Sequence, residues 1–204
     1  MSQSSYLFRL LSFIALLLCV NTGRAGLRQK MHDSSRREQL SRIFAAELGV
    51  RELSNKNDGQ KVEEYLRYVN LRKGNPWCAA FVCWALGKAG AANPRSGWSP
   101  DLFPEKRVIW KNSRQLSISL PGNARKTNPQ KGDVFGIYFS DKKRIAHCGF
   151  LESFGNAWTI TVEGNTNAAG SRDGDGVYRK RRLTTSLYRI ADWVEIDGRI
   201  RSLL

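Results

Sequence analysis

Apolar positions follow two periods along the chain, helical in the part after the amino-terminal segment and alternating in the last third. The first helical stretch has an apolar stripe that ends at Gly49, and Ser34 or Ser35 is its predicted N-cap. A second helix is predicted at about 59–70. The apolar stripes of these two helices consist of Leu40, Ile43, Phe44, Leu48, Val62, Tyr65, Leu66 and Val69.

The third helix is predicted from the stretch "GNPWCAAFVCWAL", residues 74–86. Asn75 is its predicted N-cap, and Pro76 suits the first turn because a missing N–H costs nothing there. Apolar residues occupy nearly every face, which indicates a helix buried on most sides. Cys78 lies in the first turn, whereas Cys83 lies in the helix body and is expected to pack as a small apolar side chain.

Residues 91–130 are irregular and rich in Pro, Ser, Gly and Asn, with a short helix predicted around Lys106–Lys111. A connection of this length usually shapes a binding groove or a lid. Its two tryptophans, Trp98 and Trp110, are equally compatible with the wall of such a groove and with the core.

Short runs of β-branched and aromatic residues follow, separated by turn-forming residues. The five runs are "GDVFGIYFS" (132–140), "RIAHCGFLESF" (144–154), "AWTITVEGN" (157–165), "GVYRKRRL" (176–183) and "RIADWVEI" (189–196). Helices followed by strands are typical of an α+β domain, with N-terminal helices packed on an antiparallel β-sheet meander. The segment "SRDGDGVY" (171–178) lacks the glutamate that ends a calcium-binding loop and is predicted to be a hairpin turn.

Residues 1–25 are predicted to be a signal peptide, because their apolar run is short for a membrane span and small residues precede the cleavage site after Ala25. An uncleaved membrane anchor is the alternative. The remaining chain, 26–204, is expected to be one domain, exported by a bacterium to the periplasm or the outside, with no stable membrane insertion after cleavage. We expect it to be a monomer.

Positive charge dominates the chain, which carries a net +15. Residues 1–25 hold Arg9, Arg24 and no acidic residue, so the mature chain has 31 basic and 18 acidic side chains, a net +13. This excess indicates an anionic partner. An export signal argues against nucleic acid and favours an anionic envelope polymer, while non-specific adhesion is the simpler alternative.

The position of Cys78 favours a nucleophilic thiol. A helix N-terminus lowers the pKa of a thiol, and its free N–H groups also stabilise an oxyanion. Three cysteines remain after signal cleavage, so at least one thiol is free or pairs between chains. Neither His32 nor His147 has the spacing of a zinc site, and no metal or other cofactor is expected.

A nucleophilic thiol needs a base and a group that orients the base. His147 is the predicted base, because His32 lies near the mature N-terminus. Strand alternation places His147 and Cys148 on opposite faces. In the next strand, "WTITVEGNTN" supplies Glu163 and Asn165, which lie two apart and so on the same side of an extended chain. A plain turn after the strand is the alternative reading of these residues.

The stretches "NPWCAAFVCWAL", "GDVFGIYF", "AHCGFLESF" and "TVEGNTN" resemble, in this order, the CHAP domain, a branch of the NlpC/P60 papain-like amidases and peptidases. The resemblance covers about 45–182 and implies a papain-like fold. It implies Cys78 as the nucleophile, His147 as general base and then acid, Glu163 as the group orienting His147, and Asn165 as a polar helper. It also implies cleavage of an amide bond in peptidoglycan, between muramic acid and L-Ala or within the stem and cross-bridge peptides.

One position departs from the family. Many members have Gln directly before the cysteine, whereas this chain has Trp77, which resembles a "PWCA" subgroup of stand-alone exported proteins. The resemblance therefore assigns no side-chain oxyanion donor, and the backbone N–H of Cys78 is the predicted one. A secreted antibacterial amidase, a non-catalytic protein that binds anionic glycans and a nucleic-acid binder are the alternative functions.

Overall fold

The computed structural model describes residues 28, 31–112, 128–168 and 174–194. The predicted signal peptide lies outside these residues, as does part of the predicted turn at 171–178. The chain divides into two units, residues 1–35 and 36–204. Everything below concerns the second unit unless stated otherwise. Across the residues that the structure describes, every helix is too short or too polar to cross a membrane.

Three α-helices form the amino-terminal half of the fold. Helix α1 runs to residue 46, α2 covers Gln60–Tyr68 and α3 covers Cys78–Lys88. The predicted caps at Ser34 or Ser35 are wrong, because residues 31–35 are already helical. The predicted stripes are confirmed, with these side chains fully buried: Leu40, Phe44, Val62, Tyr65 and Leu66.

Helix α3 is the buried helix that its composition predicts, because all residues from Cys78 to Leu86 are buried. The predicted N-cap is wrong: the amide of Asn75 donates to the carbonyl of Arg72, and the helix begins three residues after Asn75, at Cys78. No side chain of the described chain caps this helix. Its first N–H groups are therefore left for another acceptor.

Six strands form one antiparallel sheet in the order β1-β6-β2-β3-β4-β5. The strands are β1 (Val108–Lys111), β2 (Val134–Phe139), β3 (Arg144–Ser153), β4 (Trp158–Thr166), β5 (Gly176–Leu183) and β6 (Arg189–Ala191). The predicted α+β class is confirmed, and β2 to β5 form the predicted meander. Beyond it, β6 returns to pair with β2. The helix predicted around Lys106–Lys111 is wrong, since the β-branched and aromatic run there pairs with β6 as β1.

The sheet carries an apolar layer on each face. On one face α3 packs against β3 and β4, with Phe150 between the rings of Phe44 and Phe81 at centroid distances of 4.9 and 5.9 Å. The other layer consists of Phe135, Leu151, Leu187 and Ile190. Packing of α3 against β3 and β4 is what brings Cys78 to the strands that carry His147 and Glu163.

A buried ion network joins α1 to the sheet. Arg37 donates to Asp133 across 2.6 Å and to Asp192 across 2.7 Å. Asp133 directly precedes β2 and Asp192 directly follows β6, two strands that are paired. A single guanidinium therefore bridges two buried carboxylates and fixes the part of α1 that follows residue 35 to the sheet.

Candidate active site

Cys78 is the first residue of α3, and 6% of its surface is exposed. The residue before it, Trp77, is fully buried, and its indole N–H donates to Glu52 Oε1 across 2.8 Å. The Trp77 ring packs against Tyr65, with ring centroids 5.7 Å apart. The indole N–H is thus already used, which leaves Trp77 unable to donate to a group bound at Cys78.

His147 lies on β3 and Glu163 on the neighbouring strand β4. The Nε2 of His147 is 2.7 Å from Glu163 Oε2. Because an ionised carboxylate only accepts hydrogen bonds, Nε2 carries the proton of this bond and Nδ1 is the nitrogen left for the thiol. The side chain of His147 is 12% exposed and that of Glu163 is fully buried.

Glu163 is held at both of its oxygens. Oε1 accepts from Thr161 Oγ1 and from Arg182 Nε, each across 2.5 Å, and Oε2 accepts from Arg182 Nη2 across 2.6 Å as well as from His147. Burial opposes the charge of this carboxylate, but the hydrogen bonds from Arg182 and His147 hold its pKa below the ordinary range. Glu163 is therefore a fixed anion that keeps the imidazole in one orientation.

Cys78 and His147 form a coupled acid–base pair. Hydrogen bonds from Cys148 and His147, together with the charge on His147, hold the pKa of Cys78 well below its ordinary value, although burial opposes this. Burial also acts to lower the pKa of His147, but its hydrogen bonds with Cys78 and Glu163 outweigh burial and raise it to about 9. The lowered pKa of Cys78 and the raised pKa of His147 both favour a thiolate beside an imidazolium, the reactive form of a catalytic cysteine.

Two further polar side chains touch the thiol. Ser99 Oγ lies 3.6 Å from Cys78 Sγ, and Cys148 Sγ lies 3.8 Å from Ser99 Oγ. Strand alternation predicts that His147 and Cys148 point to opposite faces, yet both contact Cys78. The pairing of β3 with β2 shifts at Ala146, directly before this pair, while His147 and Cys148 themselves pair in regular succession with Ile137 and Gly136.

Asn165 lies apart from this group in the described contacts. Its φ is +53°, and the pairing of β4 with β5 shifts between Glu163 and Thr166. The alternation that predicts Glu163 and Asn165 on one side therefore does not hold across this bulge. None of the described hydrogen bonds of His147 or Glu163 involves Asn165. Its role as a polar helper stays a prediction.

The other cysteine of α3 behaves differently. Cys83 is fully buried, its thiol donates to the carbonyl of Ser96 across 3.4 Å, and burial raises its pKa to about 11. All three described cysteines, Cys78, Cys83 and Cys148, are free thiols. Within the described ranges, no three His, Cys, Asp or Glu side chains cluster in a way that suits a metal ion.

Three contact residues, Arg182, Thr161 and Ser99, were not predicted from the sequence. Arg182 belongs to the basic strand β5, in which Arg179 and Arg181 are exposed. The signal that could have identified Arg182 is its position on the other face of β5. Arg182 pairs with Thr159 of β4 and therefore lies on the same side of the sheet as Thr161 and Glu163. Ser99 lies in the irregular segment, where no periodicity marks it.

No protein-family model matches this chain, and no curated protein matches it. Among solved structures, the chain is similar to one of the resuscitation promoting factor interacting protein RipA, in a form mutated at one glutamate. The likeness covers 81% of this chain and 65% of that chain, with 14% sequence identity and a TM-score of 0.45. The chain thus spans less than two thirds of the length of that protein. A likeness this distant carries no conclusion about function.

Proposed function

We propose that the protein is an exported peptidoglycan hydrolase that cleaves an amide bond by acyl transfer to Cys78. One observation carries the proposal: the thiol at the start of α3 contacts His147, and Glu163 holds His147 across 2.7 Å. A nucleophile, a base and a group orienting the base are the three parts that thiol-dependent acyl transfer requires. The resemblance to the papain-like CHAP domains supports the same assignment.

In the first half of the reaction, the Cys78 thiolate attacks the carbonyl carbon of the scissile amide. The pair of electrons of the C=O double bond moves to oxygen, and the N–H groups at the uncapped start of α3 stabilise this oxyanion. The imidazolium of His147 then protonates the nitrogen as the C–N bond breaks. The products of this half are a free amine and a thioester on Cys78.

In the second half, neutral His147 accepts a proton from a water molecule, which attacks the thioester carbonyl. The C–S bond breaks, the acid product leaves, and the thiolate and imidazolium are restored. Glu163 stays ionised throughout, because Arg182 and His147 keep its pKa low, and so it orients the ring in both halves.

Peptidoglycan as the substrate is supported by the chain outside the site. The residues that resemble the CHAP domain follow a predicted signal peptide, which would deliver the protein to the cell wall. The net charge of +13 that remains after removal of the predicted signal peptide favours an anionic polymer as partner. Asn165 is proposed as a polar helper close to the substrate, consistent with its partial exposure.

The test is digestion of purified peptidoglycan by the protein and by its Cys78→Ala variant, followed by mass spectrometry of the soluble fragments. We expect new amine ends with the unmodified protein and none with the variant. Release of the L-Ala amine identifies an amidase, whereas amines from residues further along the stem or cross-bridge identify an endopeptidase.

Cys83→Ala is the matched control, because this second thiol of α3 is buried and bonded to the Ser96 carbonyl. It should retain most of the activity. Equal release by Cys78→Ala, or no release from walls with several kinds of cross-bridge, would contradict the proposal.

A further inference from the structure

The proposed acyl transfer creates an oxyanion beside Cys78, and the chain must supply donors to it. The N–H groups at the uncapped start of α3 are one set of donors. Here the side chain directly before the cysteine is Trp77, whose only N–H donor on the ring is already bonded to Glu52 across 2.8 Å. Any side-chain donor must therefore come from another element of the fold.

Ser99 is the hydroxyl that the fold brings to the thiol. Its Oγ lies 3.6 Å from Cys78 Sγ, within the range of a hydrogen bond to sulfur, and Ser99 is only 4% exposed. Both Cys78 and Ser99 are first residues of helical segments, α3 and the short 3₁₀ helix Ser99–Leu102.

Cys148 is the second neighbour of the Ser99 hydroxyl. Its Sγ lies 3.8 Å from Ser99 Oγ, and burial raises the pKa of this thiol well above its ordinary value, so it stays protonated and its single S–H proton donates to the Cys78 thiolate. The hydroxyl proton of Ser99 likewise goes to the strongest acceptor in reach. That acceptor is the Cys78 thiolate, because hydrogen bonds to an ionised group are roughly twice as strong as neutral ones.

The segment that carries Ser99 is fixed in place before any substrate binds. Ser96 Oγ donates to Asp101 across 2.6 Å, closing the turn around Ser99. On the far side, the indole of Trp193 donates to the carbonyl of Leu102 across 2.9 Å. A donor held by such contacts needs no reorganisation when charge develops, which is the condition for effective electrostatic stabilisation.

From these contacts we infer that Ser99 is a further catalytic residue, which donates its hydroxyl hydrogen bond to the Cys78 thiolate and then to the oxyanion of the tetrahedral intermediate, beside Cys148 as a second donor to the thiolate. No proton leaves Ser99 in this role. As the S–C bond forms, the negative charge passes from sulfur to the carbonyl oxygen, and the O–H of Ser99 follows it by a small rotation. This inference rests on the proposed acyl transfer at Cys78.

The experiment compares Ser99→Ala with the unmodified protein in two measurements. One is turnover of peptidoglycan, for which we expect kcat to fall by about 10²-fold with little change in KM, the effect of removing one oxyanion donor. The other is the pH dependence of Cys78 alkylation by iodoacetamide, read by mass spectrometry of the Cys78 peptide. Its midpoint should move to higher pH, because the thiolate loses a donor.

Three further variants separate this role from a structural one. Ser99→Thr keeps a hydroxyl and should restore both the alkylation midpoint and most of the turnover. Cys148→Ala should move the midpoint in the same direction as Ser99→Ala, and Cys148→Ser should move it less. Ser153→Ala, an exposed serine on β3, is the matched control and should leave both measurements unchanged. Urea unfolding verifies that each variant is folded.

The two proposals fail in distinguishable ways. If Ser99→Ala keeps the alkylation profile and the turnover of the unmodified protein, the role of Ser99 is overturned while acyl transfer at Cys78 stands. If the unmodified protein cleaves no peptidoglycan but its alkylation midpoint still shifts in Ser99→Ala, peptidoglycan hydrolysis is overturned and the donation from Ser99 to the thiolate is supported.

Discussion

Arg182 donates two parallel hydrogen bonds to Glu163, from Nε to Oε1 across 2.5 Å and from Nη2 to Oε2 across 2.6 Å. This bidentate pair lies behind the proposed triad, because the same Oε2 also accepts from His147. The guanidinium has two consequences for the site. It keeps a buried carboxylate ionised, and its planar fork fixes the rotation of that carboxylate and so the plane of the imidazole.

Arg182→Met should therefore lower kcat by about tenfold or more with a smaller change in KM, since the loss falls on the orientation of His147. Arg182→Lys should be intermediate, because lysine keeps the charge but not the fork. The measurement is the initial rate of peptidoglycan solubilisation over a range of substrate concentrations. Arg181→Met is the control, because Arg181 is exposed and its guanidinium carbon lies 4.0 Å from the centroid of the Trp158 ring. Equal rates in the two methionine variants would contradict the role given to Arg182.

Glu163→Gln should narrow the pH range of activity. Glu163 helps raise the pKa of His147 to about 9, and glutamine carries no charge to stabilise the imidazolium. The alkaline limb of kcat/KM should move to lower pH. The acid limb should move to higher pH, since the Cys78 thiolate then has a weaker cationic partner.

The profile is measured from pH 5 to pH 10 on soluble wall fragments, with circular dichroism at each pH to verify folding. Glu152→Gln removes a carboxylate that pairs with Arg179 on the exposed side of the sheet, and it should leave both limbs in place. An unchanged alkaline limb in Glu163→Gln would show that Glu163 does not hold the imidazolium.

The local pattern of apolar and polar residues predicted most of the helices and strands. Most of the wrong predictions concern strands whose pairing depends on residues far away in the sequence. The helical spacing of Val62, Tyr65 and Leu66 and the apolar run of α3 match the helices observed. By contrast, the return of β6 to the side of β2 depends on the whole sheet, and neither strand carries a local signal for it. The pairing of Val108–Lys111 with β6 likewise overrides a weak helical pattern.

The candidate site divides in the same way. Cys78, His147 and Glu163 stand at positions that a helix start and two adjacent strands bring together, so residue type and element order sufficed to predict their meeting. Arg182 required the register of β4 against β5, which is a property of the paired strands and not of either sequence alone. For Asn165 the simple alternation along β4 does not hold, because the pairing shifts at this position, and its role as a polar helper stays a prediction.

Trp77→Phe should reduce stability without a comparable loss of kcat. The variant keeps an aromatic ring against Tyr65 but leaves Oε1 of the buried Glu52 without the indole donor. Loss of one buried hydrogen bond of this kind costs about 1–3 kcal/mol in the free energy of unfolding. Urea denaturation and turnover on peptidoglycan measure the two effects. A 100-fold fall in kcat with unchanged stability would instead place Trp77 in the catalytic machinery.

Arg37→Met tests the ion network between α1 and the sheet. The side chains of Arg37, Asp133 and Asp192 are 12%, 0% and 7% exposed, so the variant removes the buried guanidinium that bridges these two carboxylates. Removal of one partner of a buried ion pair costs about 3–5 kcal/mol. We expect a loss of this size in the free energy of unfolding near neutral pH, measured by urea denaturation.

The loss should depend on pH in a defined direction. Burial raises the pKa of Asp133 to about 7 in the folded protein, and Arg37 opposes that rise. The folded state therefore binds more protons than the unfolded state between about pH 4 and pH 7. Without Arg37 the pKa of Asp133 rises further. At pH 5 the side chain is neutral in the folded protein, so the loss of Arg37 changes the free energy of unfolding little. At pH 8 the side chain tends to ionise in the buried site without its guanidinium, so the loss of Arg37 is destabilising. Arg37→Met should thus lose more stability at pH 8 than at pH 5.

The control for this prediction is Arg42→Met, at an exposed position of α1 paired with Glu38, which should change stability little at either pH. An equal loss of stability at both pH values in Arg37→Met would contradict this account.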